Sequence, residues 1–363
     1  MRIGVVGAGV AGALLAWRLR QAAPRIAVHL YTATPRGADA TGASGGLVRG
    51  FECAPDACRV AAASLAELRA DPALRAAAAY QEIGSVYLLP PGVDPAGSVP
   101  VLDELLPGSA TVLAGAELAA RYPFRDLPAG TTAVAERRAG YLSPARLRDA
   151  VLDRLAAAGL TIRAMPVRAV LPDPALVLAD GTSAGYDTVV IAAGAWTPGL
   201  LAASGLPAEG LTTKQIQYTV YPGRSPGLGA FVDDGTGLYG RPAADGLLLG
   251  LPSDRWGVDP AGVRPDPRLV RQVAETARYR LGLPAATDRP LRTVASFDCY
   301  HDRPGLMLRA TGAGAAVLTF TGGSGGAAKT ALAASRTAAG TLATLFSVAQ
   351  WRIPVRSGWL APW

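Results

Sequence analysis

Six residues near the amino terminus have the spacing of a phosphate-binding turn. Gly7-Ala-Gly-Val-Ala-Gly12 is a G-x-G-x-x-G sequence that follows the apolar run Ile3–Val6 and precedes a helical pattern. Glycines at these places permit a tight turn, close approach of the backbone to a pyrophosphate and close packing of a helix on a strand. The start of the helix also offers unpaired N–H groups to an anion. We therefore predict that a dinucleotide is contacted by Gly7, Gly9, Val10, Ala11 and Gly12.

The position that usually carries a ribose-binding acid holds a threonine. An Asp or Glu is expected about twenty residues after the glycines, at the end of the second strand, and the residue there is Thr32. Its hydroxyl can form one hydrogen bond to a ribose, whereas the nearby Arg36 would suit the phosphorylated ribose of NADP. This first unit alone leaves FAD and NADP open.

Two further segments favour FAD. Tyr186–Pro198 is a Val, Ile and Ala strand followed by a glycine turn, and Ala43–Arg49 is a Gly and Ser loop. Together with Gly7–Gly12, they resemble the FAD-binding segments of the D-amino-acid oxidase superfamily, which contains glycine oxidase and monomeric sarcosine oxidase. The resemblance continues through Gly237–Pro242 and Thr321–Lys329, so it covers nearly the whole chain except the tail.

This resemblance implies a set of cofactor contacts. In the superfamily, the glycine-rich turn before the last helix aims the amino end of that helix at the flavin pyrimidine ring, where negative charge collects on reduction. Besides the first turn, the implied FAD-binding residues are Thr32, Ser44, Gly45, Gly46, Leu47, Val167, Ala193, Gly194, Trp196, Cys299, Gly322, Gly323, Ser324, Gly325, Gly326 and Lys329. Cys299 falls where the sarcosine oxidase branch attaches the flavin through a thioether, and the alternative is a buried, inert cysteine.

The resemblance also implies catalytic residues. Arg49 would lie over one flavin face, and Lys329 would pair with a substrate carboxylate, although either could instead be a surface side chain. Tyr218, Tyr239 and Tyr300 are candidates for the substrate pocket because a phenol can both stack and hydrogen-bond. The alternative for each tyrosine is a place in the core.

Two residues depart from the family pattern. Leu248 stands where relatives of sarcosine oxidase carry a lysine that assists oxygen activation, which leaves the use of oxygen open. Glu52 lies three residues past Arg49, where a second carboxylate-binding arginine would be expected. A substrate with a cationic or hydroxyl group at that place is therefore an alternative to a carboxylate.

The order of elements predicts an α/β fold, with a Rossmann-like FAD-binding domain and a second, mostly antiparallel-sheet substrate domain. Helix Val10–Gln21 separates strands Ile3–Val6 and Ile26–Tyr31, whereas short strands between glycine turns fill residues 211–251. We expect a discontinuous FAD-binding domain (1–82, 141–206 and 300–350), a substrate domain (83–140 and 207–299) and a tail (351–363). Thr32–Gly50 is predicted to be a long loop, and Pro90–Pro100 a linker.

Composition narrows the function classes. The net charge of +7 comes from scattered arginines, with only two lysines, so no basic run for nucleic acid occurs. No apolar run is long enough to span a membrane, and the glycine-interrupted start lacks a signal-peptide cleavage site. Three cysteines without a C-x-x-C pair predict neither a disulfide framework nor a metal site. A cytoplasmic enzyme is expected, and the oligomeric state is left open.

These observations predict an FAD-dependent oxidoreductase that oxidises a C–N bond of a small amine or amino acid. Hydride transfer to flavin N5 would give an imine, with oxygen or another molecule as the final electron acceptor. One alternative is an FAD-dependent dehydrogenase or desaturase of a hydroxylated or carrier-bound substrate, which Leu248 favours. Another is a nucleotide-binding protein without catalytic activity.

Overall fold

A computed structural model describes residues 1–33, 39–223, 227–284, 289–312 and 316–350. Arg36 and the tail 351–363 lie outside the described residues, so the roles considered for them stay predictions.

The described strands are β1 Arg2–Val6, β2 Ala27–Thr32, β3 Leu47–Val48, β4 Gln81–Glu82, β5 Ser85–Leu89, β6 Ala110–Ala114, β7 Thr132–Glu136, β8 Gly140–Tyr141, β9 Thr161–Ala164, β10 Val167–Leu171, β11 Ala175–Leu178, β12 Ser183–Gly185, β13 Thr188–Ile191, β14 Leu211–Tyr221, β15 Ala230–Asp233, β16 Leu238–Ala243, β17 Gly246–Gly250, β18 Arg292–His301, β19 Met307–Ala310 and β20 Val317–Thr321.

The described α-helices are α1 Val10–Ala22, α2 Ala40–Ala43, α3 Pro55–Ala70, α4 Pro72–Ala77, α5 Val99–Leu105, α6 Gly115–Arg121, α7 Pro144–Ala157, α8 Thr197–Ala203, α9 Pro267–Leu281 and α10 Ala327–Gln350. Single 3₁₀ turns occupy Pro95–Gly97, Gly194–Trp196, Pro260–Gly262 and Ser324–Gly326. Helix α7 begins as its sequence predicts, because Ser143 Oγ accepts a hydrogen bond from Arg146 N at 3.3 Å and Pro144 follows the cap. Within the described residues, no helix is both long and apolar enough to cross a bilayer.

A six-stranded sheet in the order β19-β20-β13-β1-β2-β9 forms the first layer. Strands β20, β13, β1, β2 and β9 run parallel, and β19 is an antiparallel edge strand. All four residues of β13 are buried, as are the last four of β1, because helices cover the sheet. Helix α1 packs against α10 and α7, and α10 packs against α3. Segments far apart in sequence therefore share one core.

An eight-stranded sheet in the order β18-β14-β17-β16-β15-β5-β7-β6 forms the second large layer. Its neighbouring strands are antiparallel except for the β15–β5 pair. Along β14, the side chains alternate between the two faces. Thr213, Gln215 and Gln217 are buried on one face, where the Gln217 amide donates to Asp266 O at 3.0 Å just before α9. Lys214, Ile216 and Tyr218 lie on the opposite face.

The predicted fold class is confirmed, since a parallel nucleotide-binding sheet and a mainly antiparallel second sheet are both present. Two predicted irregular segments contain short elements instead. The loop 32–50 includes α2 and β3, and the linker 90–100 includes a 3₁₀ turn and the start of α5. These elements are too short to show a period in sequence. Sequence analysis also missed the sheets β10-β11-β12 and β3-β8-β4, and the proposed domain boundaries stay predictions.

A buried ion pair fixes α9 onto the second sheet. Arg280 Nε and Asp233 Oδ2 are 2.7 Å apart, both side chains are buried, and Arg280 also donates to Arg125 O and Asp126 O. Removing one partner of such a pair leaves an uncompensated buried charge. We expect Arg280→Ala to lower the free energy of unfolding by about 3–5 kcal/mol in urea denaturation of the flavin-loaded protein.

The matched control is Arg271→Ala, which removes an exposed arginine from the same helix. It should change the free energy of unfolding by no more than about 0.5 kcal/mol. Equal effects of the two substitutions would show that the Arg280–Asp233 pair does not hold α9.

Candidate active site

A cavity of about 560 Å³ is lined by residues of both large sheets. From the first sheet, the turn after β1 contributes Gly7, Gly9, Val10 and Ala11 to the lining. Gly7 has a φ of +109°, and a Cβ there would lie against the Ala192 carbonyl. Gly12 does not line the cavity; a Cβ at that place would collide with Gly7 O, so this glycine permits close packing of α1 instead.

The loop that covers the start of α1 is anchored by residues that sequence analysis missed. Thr41 Oγ1 accepts a hydrogen bond from Val10 N at 3.0 Å. Asp39 caps α2 by accepting from Gly42 N at 2.7 Å, and it pairs with the buried Arg148 at 2.9 Å. Asp39, directly before the short helix α2, is a capping signal that could have located this segment in the sequence.

The predicted cofactor residues of four other segments also line the cavity. These residues are Thr32, Ser44, Gly45, Gly46, Leu47, Val167, Ala193, Gly194 and Trp196. Arg241 of β16 holds the second of these segments in place, because its Nε donates to Gly45 O at 2.8 Å and its guanidinium lies 4.1 Å from the Tyr141 ring centroid. Arg241 lies within the family motif Gly237–Pro242, yet its role as an anchor depends on a contact that sequence could not show.

The turn before α10 reaches the same cavity. Gly323, Ser324, Gly325 and Lys329 line it, whereas Gly322 and Gly326 are not among the lining residues. Tyr300 of β18 forms a backbone bridge to Gly323, which joins this turn to the second sheet. The amino end of α10 is thereby directed toward the space between the two sheets.

The family model described as DAO, FAD dependent oxidoreductase, matches residues 2–340. The chain belongs to this family. The resemblance to the D-amino-acid oxidase superfamily and the FAD cofactor are thus confirmed. A search of curated proteins finds no match.

Several solved structures share the fold. Glycine oxidase from Geobacillus kaustophilus is 18% identical, with 95% of each chain covered and a TM-score of 0.73. Iminodiacetate oxidase (IdaA) from Chelativorans sp. BNC1 is 21% identical, with 94% of this chain and 95% of that chain covered and a TM-score of 0.72. L-proline dehydrogenase from P. horikoshii is 17% identical, with 98% and 95% covered and a TM-score of 0.77.

The residues present fit FAD. The turn at Gly7 and the start of α1 supply a tight backbone and N–H donors, and side-chain-free positions at Gly45, Gly194 and Gly325 continue along the cavity. Within the described part of the chain, no group of three or more His, Cys, Asp or Glu side chains is placed to hold a metal ion. The cavity between the two large sheets has the backbone donors and the open positions that the FAD of this family needs.

The two predicted catalytic cations share one carboxylate. Arg49 and Lys329 both line the cavity, and both pair with Glu52, at 3.0 Å and 2.5 Å respectively. Burial alone would raise the pKa of Glu52, but Arg49 and Lys329 hold this pKa below its usual value. Burial, reinforced by Arg49, lowers the pKa of Lys329. Glu52, which sequence analysis identified only as a departure, thus offsets one of the two positive charges of Arg49 and Lys329, and the cluster keeps a net positive charge.

Backbone contacts keep this cluster in place. Arg49 Nε donates to Phe51 O at 3.0 Å, and its guanidinium lies 4.7 Å from the Tyr87 ring centroid. The buried carboxylate of Glu136 accepts hydrogen bonds from Gly50 N at 2.9 Å and Phe51 N at 3.0 Å. Arg49 is therefore held by its own segment and is not a mobile surface residue.

The second sheet forms the opposite wall of the cavity. Tyr218 and Tyr239 both line it, as predicted pocket residues should, and burial raises the pKa of both phenols. Tyr239 donates to Gln217 O at 3.0 Å across Gly250, where a Cβ would collide with the phenol ring. Lys214 also lines the cavity, with its Nζ 4.3 Å from the Trp256 ring centroid. Both lysines of the chain therefore reach this site, and only one was predicted.

Cys299 and Leu248 differ in how far they reach the site. Cys299 lines the cavity but is only 5% exposed, in an apolar cluster with Ala195 and Phe297, and burial raises the pKa of its thiol. Leu248 is 2% exposed and lies on β17 beside Arg241, so no charged group occupies that position.

Asp298 is a charged group that sequence analysis overlooked, although it directly precedes Cys299. It lies on the same face of β18 as Tyr300 and lines the cavity. Its Oδ2 atom is buried and has no hydrogen-bond partner among the described residues. Burial raises the pKa of this carboxyl to about 7. A carboxyl that gains or loses its proton near neutral pH is typical of a functional site.

This raised pKa has a consequence for stability. Between pH 4 and pH 7, roughly, the folded protein keeps a proton on Asp298 that the unfolded chain has lost, so stability falls as pH rises through this range and is constant above it. The full effect is at most about 4 kcal/mol, since each tenfold change in acidity corresponds to about 1.36 kcal/mol. Asp298→Asn removes the ionisation. We expect its melting temperature to equal that of the wild type near pH 4 and to exceed it by several degrees at pH 8.

Thermal unfolding of the two flavin-loaded proteins at both pH values measures this difference. A melting-temperature difference between variant and wild type that does not change with pH would contradict a raised pKa at Asp298.

Proposed function

We propose that this FAD-dependent oxidoreductase oxidises a C–N bond of a small amine or amino acid. The observation that carries the proposal is one cavity lined both by the FAD-binding turns and by the polar face of the second sheet, with Lys214, Tyr218 and Asp298 on that face. The relatives in fold named as glycine oxidase, iminodiacetate oxidase and L-proline dehydrogenase support an amino-acid or amine substrate.

Bound FAD supplies an acceptor for the hydride that leaves the carbon next to nitrogen. The residues of this chain hold the substrate and set its protonation. Hydride loss from such a carbon needs an unprotonated amine, so the amine has to release its proton before the transfer. Arg49, Lys329 and Asp298 are charged groups that line the cavity in which the substrate would bind.

Anaerobic mixing tests this proposal. The flavin-loaded protein is mixed with a panel of primary and secondary amines and amino acids, and separately with the alcohols in which oxygen replaces the nitrogen. We expect the visible flavin band to bleach with nitrogen compounds only, because the alcohol offers no lone pair of comparable donor strength. Bleaching by alcohols alone, or by no member of the panel, would overturn the proposal.

A second candidate, a dehydrogenase that uses oxygen poorly, is favoured by Leu248. No charged side chain is present at that position, and the residue is buried beside the loop that holds Gly45.

The choice between oxidase and dehydrogenase is tested with the substrate that bleaches the flavin. This substrate is supplied to the enzyme once in air and once with a dye as the electron acceptor, and peroxide and reduced dye are measured. Peroxide formation at the rate of dye reduction would indicate an oxidase, and dye reduction without peroxide would indicate the dehydrogenase.

We also propose that the flavin is held without a covalent bond. Attack on a flavin methyl group needs a thiolate, and the Cys299 thiol is buried among apolar residues that disfavour its ionisation. After acid precipitation of the holoprotein, we expect the yellow colour in the supernatant for the wild type and for Cys299→Ser alike. Colour that stays in the wild-type pellet and leaves the Cys299→Ser pellet would establish the thioether instead.

A further inference from the structure

Six charged side chains line the cavity within the described residues, and they differ in whether a partner compensates them. Asp39 pairs with Arg148, and both Arg49 and Lys329 pair with Glu52. Asp234 is exposed, and Lys214 lies over aromatic rings with its Nζ 4.3 Å from the centroid of Trp256 and 5.7 Å from that of Tyr300. Asp298 is the sixth charged side chain, and its buried Oδ2 atom forms no hydrogen bond to any described residue.

Asp298 lines the cavity beside the turn before α10. A Cβ built on Gly325 of this turn would lie 3.4 Å from Asp298 Oδ2 and 3.8 Å from the Tyr300 hydroxyl. The backbone of Gly325 is outside the left-handed region, so the fold itself does not require glycine there. The missing side chain keeps open the space in front of Asp298.

A buried carboxylate without a partner is unfavourable, and a cation placed beside it restores the lost interaction. An ammonium group suits this place because it has three donors and no acceptor, and Tyr300 can accept a further hydrogen bond.

Glu52 carries one negative charge against the two positive charges of Arg49 and Lys329, so this cluster keeps a net positive charge that can bind a carboxylate. Lys214 lies opposite Asp298 in the register of β14 and β18, but within the described residues no ion pair joins the two side chains. Asp298 is therefore a separate negative group that a cationic nitrogen of a ligand can pair with.

We propose that Asp298 binds a positively charged nitrogen of the substrate, distinct from the nitrogen that is oxidised, and that the substrates are amines with a second cationic group. Diamines and basic amino acids form this class. The inference rests on the proposed oxidation of C–N bonds and adds the group that selects among amines. Gly325 acts as a positioning residue, because it leaves the approach to Asp298 free.

Binding of matched probes tests the proposal. The probes are linear diamines of three to six carbons and the amino alcohols of equal length, in which a hydroxyl replaces one ammonium. Equilibrium dialysis is carried out anaerobically on holoenzyme already reduced with dithionite, so that no probe is oxidised. We expect the best diamine to bind at least about tenfold more tightly than its amino alcohol, since a hydrogen-bonded charged group contributes about 1.5–3 kcal/mol.

Three variants show which residue causes the preference for diamines over amino alcohols. Asp298→Asn should reduce the diamine preference to about one, because the amide keeps the shape and loses the charge. Gly325→Ala should weaken diamine binding by narrowing the approach, with little change in melting temperature, since the added methyl meets no atom closer than 3.4 Å. Asp234→Asn, which removes an exposed carboxylate at the same cavity, should leave the preference unchanged.

Two outcomes would overturn the inference: a wild-type enzyme without any diamine preference across the series, or a preference that survives in Asp298→Asn. Either result is distinguishable from failure of the proposed function. If the proposed function is wrong, no amine bleaches the flavin in the anaerobic assay. If only the role of Asp298 is wrong, monoamines still bleach it.

Discussion

Parallel pairing within the six-stranded sheet is the constraint on which the site depends. β1 pairs with β13 from Ile3–Thr188 to Val6–Ile191, and β13 pairs with β20. Parallel strands bring their carboxyl ends to one edge, where the turns after them meet. The three glycine turns at Gly7, Gly194 and Gly323 are thus gathered at one edge although more than a hundred residues separate each from the next. A slip in either pairing would remove the cofactor site.

The second sheet lines the side of the cavity opposite the glycine turns. Along β14 and β18 the side chains alternate between two faces, so one face of β14 packs against the start of α9 while Lys214, Tyr218 and Asp298 line the cavity. The side chains that line a cavity determine which substrate it binds, and a shared fold does not by itself determine the substrate.

Charge compensation is the second organising feature. Glu52 joins Arg49 to Lys329, and Glu136 fixes the backbone of the same segment through Gly50 and Phe51. In a cavity shielded from water, such pairing is stronger than at the surface, and an unpaired charge is correspondingly costly. Among the described residues, Asp298 differs from Asp39, Arg49 and Lys329, which form ion pairs, because its Oδ2 atom has no hydrogen-bond partner.

The sequence by itself determined the α/β fold class and the FAD cofactor, because glycine turns and alternating strands are local patterns with a fixed geometry. Its predicted glycine turns supply part of the cavity lining. It also identified Glu52 and Leu248 as departures. Only the tertiary structure decided that Lys329 is paired with Glu52 and that Thr41 and Arg241 anchor the loop 39–46. It also decided that Asp298 Oδ2 has no hydrogen-bond partner in the described part of the chain. These facts join residues that are distant along the chain, and whether a charge is compensated depends on which side chains folding brings next to it, which no local spacing encodes.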